Sequence, residues 1–342
     1  MCKADCKPGD STLSIMHTNY ERKIMSNKPG EKLSNGITGQ LVKIPSANPL
    51  NYYQALSTPQ EMPELSIDGH LFMPPSGKPL PVIILVPGSL GIAPSHLNHA
   101  ETFTNMGIAA CVIDPFGARK VSSTVANQTQ YSFAASAWDV LATAKFLGQL
   151  EAIDNKRIGA QGHSRGGSAV LSAASTPFAN AFPQPALEAV YAAYPWCGHQ
   201  FLDPDITSTV VRAVIGDRDE WCLPQQVQGH IHAMQLSGGR ASIKIFAGAQ
   251  HSFDRGTKIE LIPNAAVSPA APTCYLEANG AFIHPVTNVA DTSLCDRDLM
   301  VYALKAGYGK IGAHLGSKDN QAEAFRADMV RFWESCLSPG ES

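Results

Sequence analysis

Ser164 stands between two glycines at the end of a short apolar run, and this spacing is suited to nucleophilic chemistry. Gly162 and Gly166 complete a Gly-x-Ser-x-Gly pattern, which is typical of a sharp strand-to-helix turn that exposes a reactive serine. Glycine is required at both positions because a side chain there would collide with the turn itself. The pattern predicts Ser164 as a nucleophile, and the simpler alternative is a glycine-rich turn that carries an ordinary serine.

A serine hydroxyl is a weak nucleophile, so it needs a base that takes its proton and an acid that orients the base. Chains that use this turn supply the acid first and the histidine second, each after a later strand. Residues 209–215 form a β-branched run that predicts a strand, and a polar loop with three acidic residues follows it. Spacing alone leaves Asp217, Asp219 and Glu220 as competing candidates for the orienting acid.

The candidate base follows the next predicted strand. Residues 241–246 alternate between apolar and polar side chains, which indicates a strand, and His251 lies in the small-residue loop after it. The alternative is an ordinary surface histidine, since the chain has 11 histidines. The order of the elements favours His251 as the general base.

Acyl chemistry also needs two backbone N–H groups that stabilise the negatively charged oxygen of the transition state. The residue after the nucleophile, Arg165, is expected to supply one of them. The other is expected from the glycine-bearing turn after the apolar strand 81–86, where Ser89 or Leu90 would be the donor. An ordinary strand-to-helix turn without a catalytic part is the alternative reading of that segment.

Three segments carry a resemblance to a known family over about residues 63–254. The segments are Gly216-x-x-Asp219 followed by Trp221 and Pro224, His251 followed by Phe253-Asp254, and Asp114-Pro115-Phe116-Gly117-Ala118-Arg119. Together they resemble the dienelactone hydrolase family of the α/β-hydrolases. The resemblance implies Asp219 as the acid of the triad. Founding members carry a cysteine nucleophile where this chain has Ser164, so a general carboxylic ester or lactone is the expected substrate.

The alternation of strand and helix patterns predicts an α/β protein with the α/β-hydrolase fold, a mostly parallel central sheet with helices on both faces. Residues 108–113 predict a strand, 131–150 a helix, and 317–333 an amphipathic helix that packs on the sheet. A single catalytic domain is expected over 37–338, with a long insert at about 255–297 that either lines the pocket or forms a surface excursion. Residues 1–36 are expected to be a disordered leader or an extension.

Composition argues against several classes of function. The chain has 342 residues with a net charge of -3, and 44% of the residues are hydrophobic. This composition indicates a compact enzyme and lacks the positive charge that is typical of nucleic-acid-binding proteins. It has no run of 18 apolar residues to span a membrane and no signal-peptide core, so a cytoplasmic location is expected. Cys274 and Cys295 flank the loosest stretch of the insert, and a disulfide between them would instead indicate export.

The sequence contains no recognisable cofactor or metal motif. It lacks a phosphate-binding glycine loop, and it lacks a His-Glu-x-x-His pattern, so neither a cofactor nor a metal is expected. The close pairs His96 and His99, and His230 and His232, are interpreted as surface residues of helices. His163 is expected to pack beneath the turn of the nucleophile.

The pattern as a whole predicts a serine hydrolase that acts on a small-molecule ester or lactone through an acyl-enzyme on Ser164. A peptidase, an acyltransferase or a cofactor-free haloperoxidase could use the same triad, and a non-catalytic binding protein could keep the same fold. The large aromatic residues Trp196, Trp221 and Phe116 are interpreted as core or rim packing. The oligomeric state is left open.

Overall fold

Strands and helices alternate along the computed structural model, which describes residues 25–182 and 185–337. The strands are β1 (Met25–Lys32), β2 (Thr38–Ala47), β3 (Glu64–Phe72), β4 (Leu80–Val86), β5 (Ala109–Asp114), β6 (Ile153–His163), β7 (Ala189–Ala193), β8 (His199–Phe201), β9 (Val210–Gly216), β10 (Ala241–Phe246), β11 (Glu260–Val267), β12 (Cys274–Leu276), β13 (Phe282–Ile283), β14 (Ala290–Asp291) and β15 (Lys310–Leu315). The α-helices are α1 (Tyr52–Ser57), α2 (Pro94–Asn105), α3 (Phe133–Leu147), α4 (Arg165–Ala173), α5 (Thr176–Ala181), α6 (Pro224–Leu236), α7 (Asp296–Lys305) and α8 (Gln321–Leu337).

A nine-stranded sheet forms the centre of the fold, in the order β1-β2-β3-β5-β4-β6-β7-β9-β10. The neighbouring pairs β1-β2, β2-β3 and β3-β5 are antiparallel. The remaining pairs, β5-β4, β4-β6, β6-β7, β7-β9 and β9-β10, are parallel. Every residue of β4 and β7 is buried, as is typical of parallel strands that are covered on both faces. The mostly parallel α/β sheet predicted from the sequence is therefore confirmed.

The C-terminal helix α8 closes the domain through its apolar stripe. Phe325, Met329 and Trp333 are fully buried. The indole of Trp333 lies directly against Gly159 of β6, where a Cβ would collide with the ring. Trp333 Nε1 also donates a hydrogen bond of 2.9 Å to the side-chain oxygen of Gln161. The indole thus fixes the helix on the strand that leads to Ser164.

The expectation of a disordered leader or an extension over residues 1–36 falls partly outside the described residues, because residues 1–24 are not described. Residues 25–32 form β1, which pairs with β2 and extends the sheet. In the described parts of the chain, no helix has both the length and the apolar character needed to cross a bilayer.

The insert predicted at about 255–297 is more regular than its turn-rich sequence suggests. It contains β11 to β14, and it continues through α7 and β15 before the chain returns to the central domain. β11 pairs with β15, and β12 pairs with β8, so two of its four strands have partners far away in the sequence, whereas β13 and β14 are two-residue strands that pair locally. These long-range pairings explain why local periodicity did not reveal β11 and β12. Cys274 and Cys295 are both free thiols, so the disulfide considered from the sequence is not formed.

Arg119, the last residue of a segment that carried the family resemblance, is a structural residue. Its guanidinium makes two hydrogen bonds to Asp139, of 2.7 and 3.1 Å, and a third to the carbonyl of Ala47. The side chains of Arg119 and Asp139 are almost completely buried, at 3% and 0% exposure. The pair joins the loop after β5 to α3 and to the end of β2.

Arg119→Ala is expected to lower the free energy of unfolding by about 3 to 5 kcal/mol, because it leaves the carboxylate of Asp139 buried without its positively charged partner and with only the hydroxyl of Ser46 beside it. Arg157→Ala serves as the control. Its pair with Asp154 is 28% and 29% exposed, and a cost of roughly 0.5 kcal/mol is expected there. Urea unfolding followed by circular dichroism measures both, and equal losses in the two variants would contradict the structural role of Arg119.

Candidate active site

The turn that carries Ser164 is strained, and the two glycines make it possible. Ser164 has a positive φ of 55° between the end of β6 and the start of α4. A Cβ on Gly162 would overlap the carbonyl of Gly166, and a Cβ on Gly166 would overlap the carbonyl of Val86. The turn therefore lifts the serine above the sheet only with glycine at both positions.

Three side chains from separate loops meet above the carboxyl ends of the parallel strands. The Oγ of Ser164 lies 2.9 Å from His251 Nε2, and His251 Nδ1 lies 2.7 Å from Asp219 Oδ2. The other oxygen of Asp219 accepts hydrogen bonds from the backbone N–H groups of Trp221 and Cys222, at 2.8 and 2.9 Å. A nucleophile, a base and an orienting acid are thus in hydrogen-bonding order.

The two other acidic residues of the loop are used elsewhere. Asp217 accepts a hydrogen bond of 2.6 Å from the backbone N–H of Gly248. Glu220 accepts hydrogen bonds of 2.9 Å from both the backbone N–H and the ring of His314. Of the three acids that the sequence left open, the structure brings only Asp219 to His251.

The groups expected to form the oxyanion hole lie beside the nucleophile. Arg165 is the first residue of α4, where backbone N–H groups have no partner within the helix. The backbone of Gly88 approaches the turn so closely that a Cβ there would lie 3.1 Å from the Cβ of Ser164. This contact places Ser89 and Leu90 next to the nucleophile, and the hydroxyl of Ser89 is fixed by Gln128 at 3.0 Å.

A cluster of buried polar residues lies beneath the turn. Asp254 accepts hydrogen bonds from Tyr194, at 2.7 Å, and from His99, at 3.0 Å. The ring of His163 stacks on that of His99, and Tyr194 packs against the ring of His251. Burial acts to raise the pKa of Asp254, but the hydrogen bond from His99 and the neighbouring charges hold it well below its usual range.

His163 therefore packs beneath the turn, as the sequence predicted, but the interpretation of the close histidine pairs as surface residues is wrong for three of the four. His96, His99 and His230 are buried, and only His232 is exposed. His96 and His99 lie on the face of α2 that packs against the turn of Ser164, where the ring of His96 meets that of His163. Their spacing of three residues placed them on one helical face but could not show what covers that face.

Two clusters among the described residues hold possible metal-ligating atoms within 4.8 Å of one another. One cluster is His99, His163 and Asp254, but the two imidazoles are stacked at 3° and their lone pairs do not converge on a common point. The other is Asp219, Cys222 and His251, in which the acid and the histidine already bind each other. We interpret both clusters as hydrogen-bonded networks.

Ser164 lines two cavities. The larger, cavity A, has a volume of about 830 Å³ and extends between the central domain and the insert. The smaller, cavity B, has a volume of about 310 Å³. Cavity A is lined by, among others, Phe133, Trp196, Trp221, Val267, Leu299 and Ala303. Cavity B is lined by, among others, Leu90, His96, His163, His251, Arg255 and Leu315.

The insert supplies one wall of cavity A, which agrees with the first of the two alternatives considered from the sequence. It is also attached to the catalytic loops, since Trp221 Nε1 donates a hydrogen bond of 2.8 Å to the carbonyl of His314. Trp196 and Trp221 are walls of the cavity rather than plain packing, and the ring of Trp221 stacks on that of His251 at 5.2 Å. Phe116, in contrast, packs against Tyr131.

Cavity A also has a polar end that the sequence reasoning missed. Asp296 and His199 line it, and each side chain is more than nine-tenths buried. Burial raises the pKa of Asp296 to about 6, against the opposing hydrogen bond from the Phe133 N–H. Burial also lowers the pKa of His199 to about 3, so this ring is neutral. The sequence carried no signal for the pair, because the two residues are nearly a hundred positions apart.

The buried carboxyl of Asp296 is expected to cost stability above pH 6. A raised carboxyl pKa means that the native state keeps a proton that the unfolded chain releases from about pH 4 upwards, so stability falls between about pH 4 and 6. Asp296→Asn removes this titration and keeps an oxygen for the Phe133 N–H. The stability difference is the free energy of unfolding of the variant minus that of the wild type. We expect this difference to be larger at pH 8 than at pH 4 by about 2 to 3 kcal/mol.

Urea unfolding of both proteins at the two pH values measures this difference. Asp203→Asn, at an exposed position, is the control, and its stability relative to the wild type should not change over the same range. A difference between Asp296→Asn and the wild type that is independent of pH would contradict the raised pKa.

Residues 67–274 match the family model described as the dienelactone hydrolase family, which is more than half of the chain. Among solved structures, a dienelactone hydrolase-like promiscuous phosphotriesterase from metagenomic libraries is 13% identical, with 79% of this chain and 96% of that chain covered and a TM-score of 0.46. A hyperthermophilic esterase from the archaeon Pyrobaculum calidifontis is 14% identical, with 72% and 85% covered and a TM-score of 0.47. No curated protein sequence matches the chain significantly.

Proposed function

The chain belongs to the dienelactone hydrolase family and is a carboxylic ester hydrolase of the α/β-hydrolase fold, and from that premise we propose that it cleaves esters or lactones through an acyl-enzyme on Ser164. The observation that carries the proposal is the hydrogen-bonded series from Ser164 through His251 to Asp219. Each member has the residue type and the contact that its role needs.

In the proposed reaction, Ser164 Oγ attacks the carbonyl carbon while its proton passes to His251 Nε2. The backbone N–H groups of Arg165 and of Ser89 or Leu90 hold the oxyanion, and Ser89 is favoured because it borders both cavities. The carbon–oxygen bond then breaks, and His251 gives the proton to the leaving alcohol. Water attacks the acyl-enzyme with His251 as its base, which releases the acid and restores Ser164.

The two cavities divide the substrate between them. The leaving oxygen must receive its proton from His251, and His251 lines cavity B but does not line cavity A. We therefore assign the alcohol side of the ester to cavity B and the acyl group to cavity A. Cavity A is the larger of the two and its walls are largely apolar, which suits the hydrocarbon part of an acyl group.

A partition experiment tests the acyl-enzyme. Butyrate esters of p-nitrophenol, phenol and 1-naphthol share an acyl group, so a common intermediate gives the same ratio of methyl butyrate to butyrate in a water–methanol mixture. We expect one ratio for all three esters, measured by gas chromatography with the Ser164→Ala protein as the background. A ratio that changes with the leaving group would contradict a common acyl-enzyme.

The choice of substrates and additives separates the rival functions that share the triad. A predominance of methyl butyrate in dilute methanol would indicate an acyltransferase, and cleavage of butyryl anilides at rates similar to those of the esters would indicate a peptidase. A haloperoxidase would require peroxide and halide for its activity. A binding protein would turn over none of these compounds, although it would keep the fold.

A further inference from the structure

We propose that the polar end of cavity A recognises a hydroxyl group on the acyl part of the substrate, through Asp296 and His199. This inference rests on the proposed function, because it assigns the acyl group to cavity A. It narrows the substrate class from esters in general to esters of hydroxylated, otherwise apolar acids.

The evidence is a pair of buried polar atoms that face each other without a hydrogen bond. Asp296 Oδ1 and His199 Nδ1 lie 3.6 Å apart, which is too far for a direct hydrogen bond. Neither atom has a hydrogen-bond partner among the described residues, whereas Asp296 Oδ2 accepts a bond of 2.7 Å from the Phe133 N–H. Buried polar atoms without partners are uncommon and costly, so a ligand group that satisfies both is a physical explanation for their retention.

A hydroxyl is the group that fits this pair. One oxygen can donate its proton to Asp296 Oδ1 and accept a hydrogen bond from the Nδ1–H of His199. Both atoms have almost no accessible surface in the absence of a ligand, so the proposal requires the two side chains to move apart when the hydroxyl binds. The imidazole is held in place by the rings of Trp196 and Phe282, with ring centroids at 4.7 and 4.8 Å, so it cannot turn away to find another partner.

The charges around cavity A favour neither ionic alternative. Arg165 and Asp296 line the same cavity with opposite charges. A substrate ammonium would be attracted by Asp296 and repelled by Arg165, and a substrate carboxylate would meet the reverse. A neutral hydroxyl avoids both repulsions, and it brings little desolvation cost when both of its hydrogen bonds are formed.

The apolar walls define the rest of the acyl group. Phe133, Trp196 and Leu299 line the same cavity as Ser164, His199 and Asp296. An acid with a hydrocarbon chain or ring and a hydroxyl at its far end matches this distribution of apolar and polar surface.

Matched esters test the proposal. We would compare p-nitrophenyl esters of hexanoic, octanoic and decanoic acid with those in which a hydroxyl replaces the terminal methyl group. The wild type is expected to prefer the hydroxyl ester of the best-fitting length by about ten- to a hundredfold in kcat/KM, because its methyl counterpart leaves both polar atoms unpaired. An ester with a terminal ammonium is the third arm.

His199→Phe keeps an aromatic ring among its neighbours and removes Nδ1, so the ratio of hydroxyl to methyl kcat/KM should fall to about one. Asp296→Asn changes the acceptor and should lower the same ratio. His232→Phe repeats the first substitution at an exposed position and should retain the wild-type ratio. Ratios within one protein do not depend on how much of it is active.

Three results would overturn the proposal. They are equal kcat/KM for the matched esters at every length in the wild type, a preference that survives in both His199→Phe and Asp296→Asn, and a preference for the ammonium ester. Hydrolysis of none of the esters would count against the proposed function instead. Calorimetric binding of the same esters to folded Ser164→Ala would then decide the hydroxyl preference without turnover.

Discussion

Replacing Ser164 with alanine is expected to reduce kcat/KM for p-nitrophenyl butyrate by about 10⁴- to 10⁶-fold. The reason is that the Oγ atom, 2.9 Å from His251 Nε2, is the atom that would form the covalent bond to the acyl group. The measurement is the release of p-nitrophenol by the wild type and by the variant at equal protein concentration. The structure of the turn should persist, since alanine keeps the Cβ of serine.

Circular dichroism and thermal unfolding of Ser164→Ala establish that any loss is chemical. Ser335→Ala is the matched control, because Ser335 is exposed and its hydroxyl contacts only its own helix, at the carbonyl of Phe332 and at Cys336 Sγ. Activity in a folded Ser164→Ala within tenfold of the wild type would show that another group is the nucleophile. If neither the wild type nor Ser164→Ala is active, the result would favour a binding protein or a cavity that rejects these esters.

Asp219→Asn is expected to lower kcat by about 10⁴-fold with the structure intact. Asparagine keeps the oxygen that accepts the N–H groups of Trp221 and Cys222, but its amide N–H₂ group would face His251 Nδ1. That arrangement favours the tautomer with a proton on Nε2, which cannot take the proton of Ser164. Steady-state kinetics with p-nitrophenyl butyrate from pH 6 to 9 measure the loss.

The neighbouring acids provide controls from the same loop. Asp217→Asn and Glu220→Gln should each keep kcat within about tenfold of the wild type, because these side chains bind Gly248 and His314 rather than His251. A loss in either control as large as that in Asp219→Asn would mean that the loop as a whole, and not the carboxylate of Asp219, supports activity.

The sequence alone determined the parts of the fold whose causes are local. Gly162 and Gly166 predicted the turn of Ser164 because the backbone there leaves no room for a Cβ. Continuous apolar runs predicted the parallel strands, since a strand that is covered on both faces has no polar side. The order of the strands then placed Ser164 and His251 in loops at the same edge of the sheet, and the roles of these residues stay predictions until the variants are measured.

Only the tertiary structure decided which residues meet. Asp217, Asp219 and Glu220 were equivalent by spacing, and packing turned one towards His251 and the other two away from it. Local periodicity did not reveal β11 and β12, whose hydrogen-bond partners lie on distant segments. Cavity A and its polar end, formed by His199 and Asp296, exist only where the insert folds against the central domain. Long-range packing creates these contacts, and no local pattern of residues encodes them.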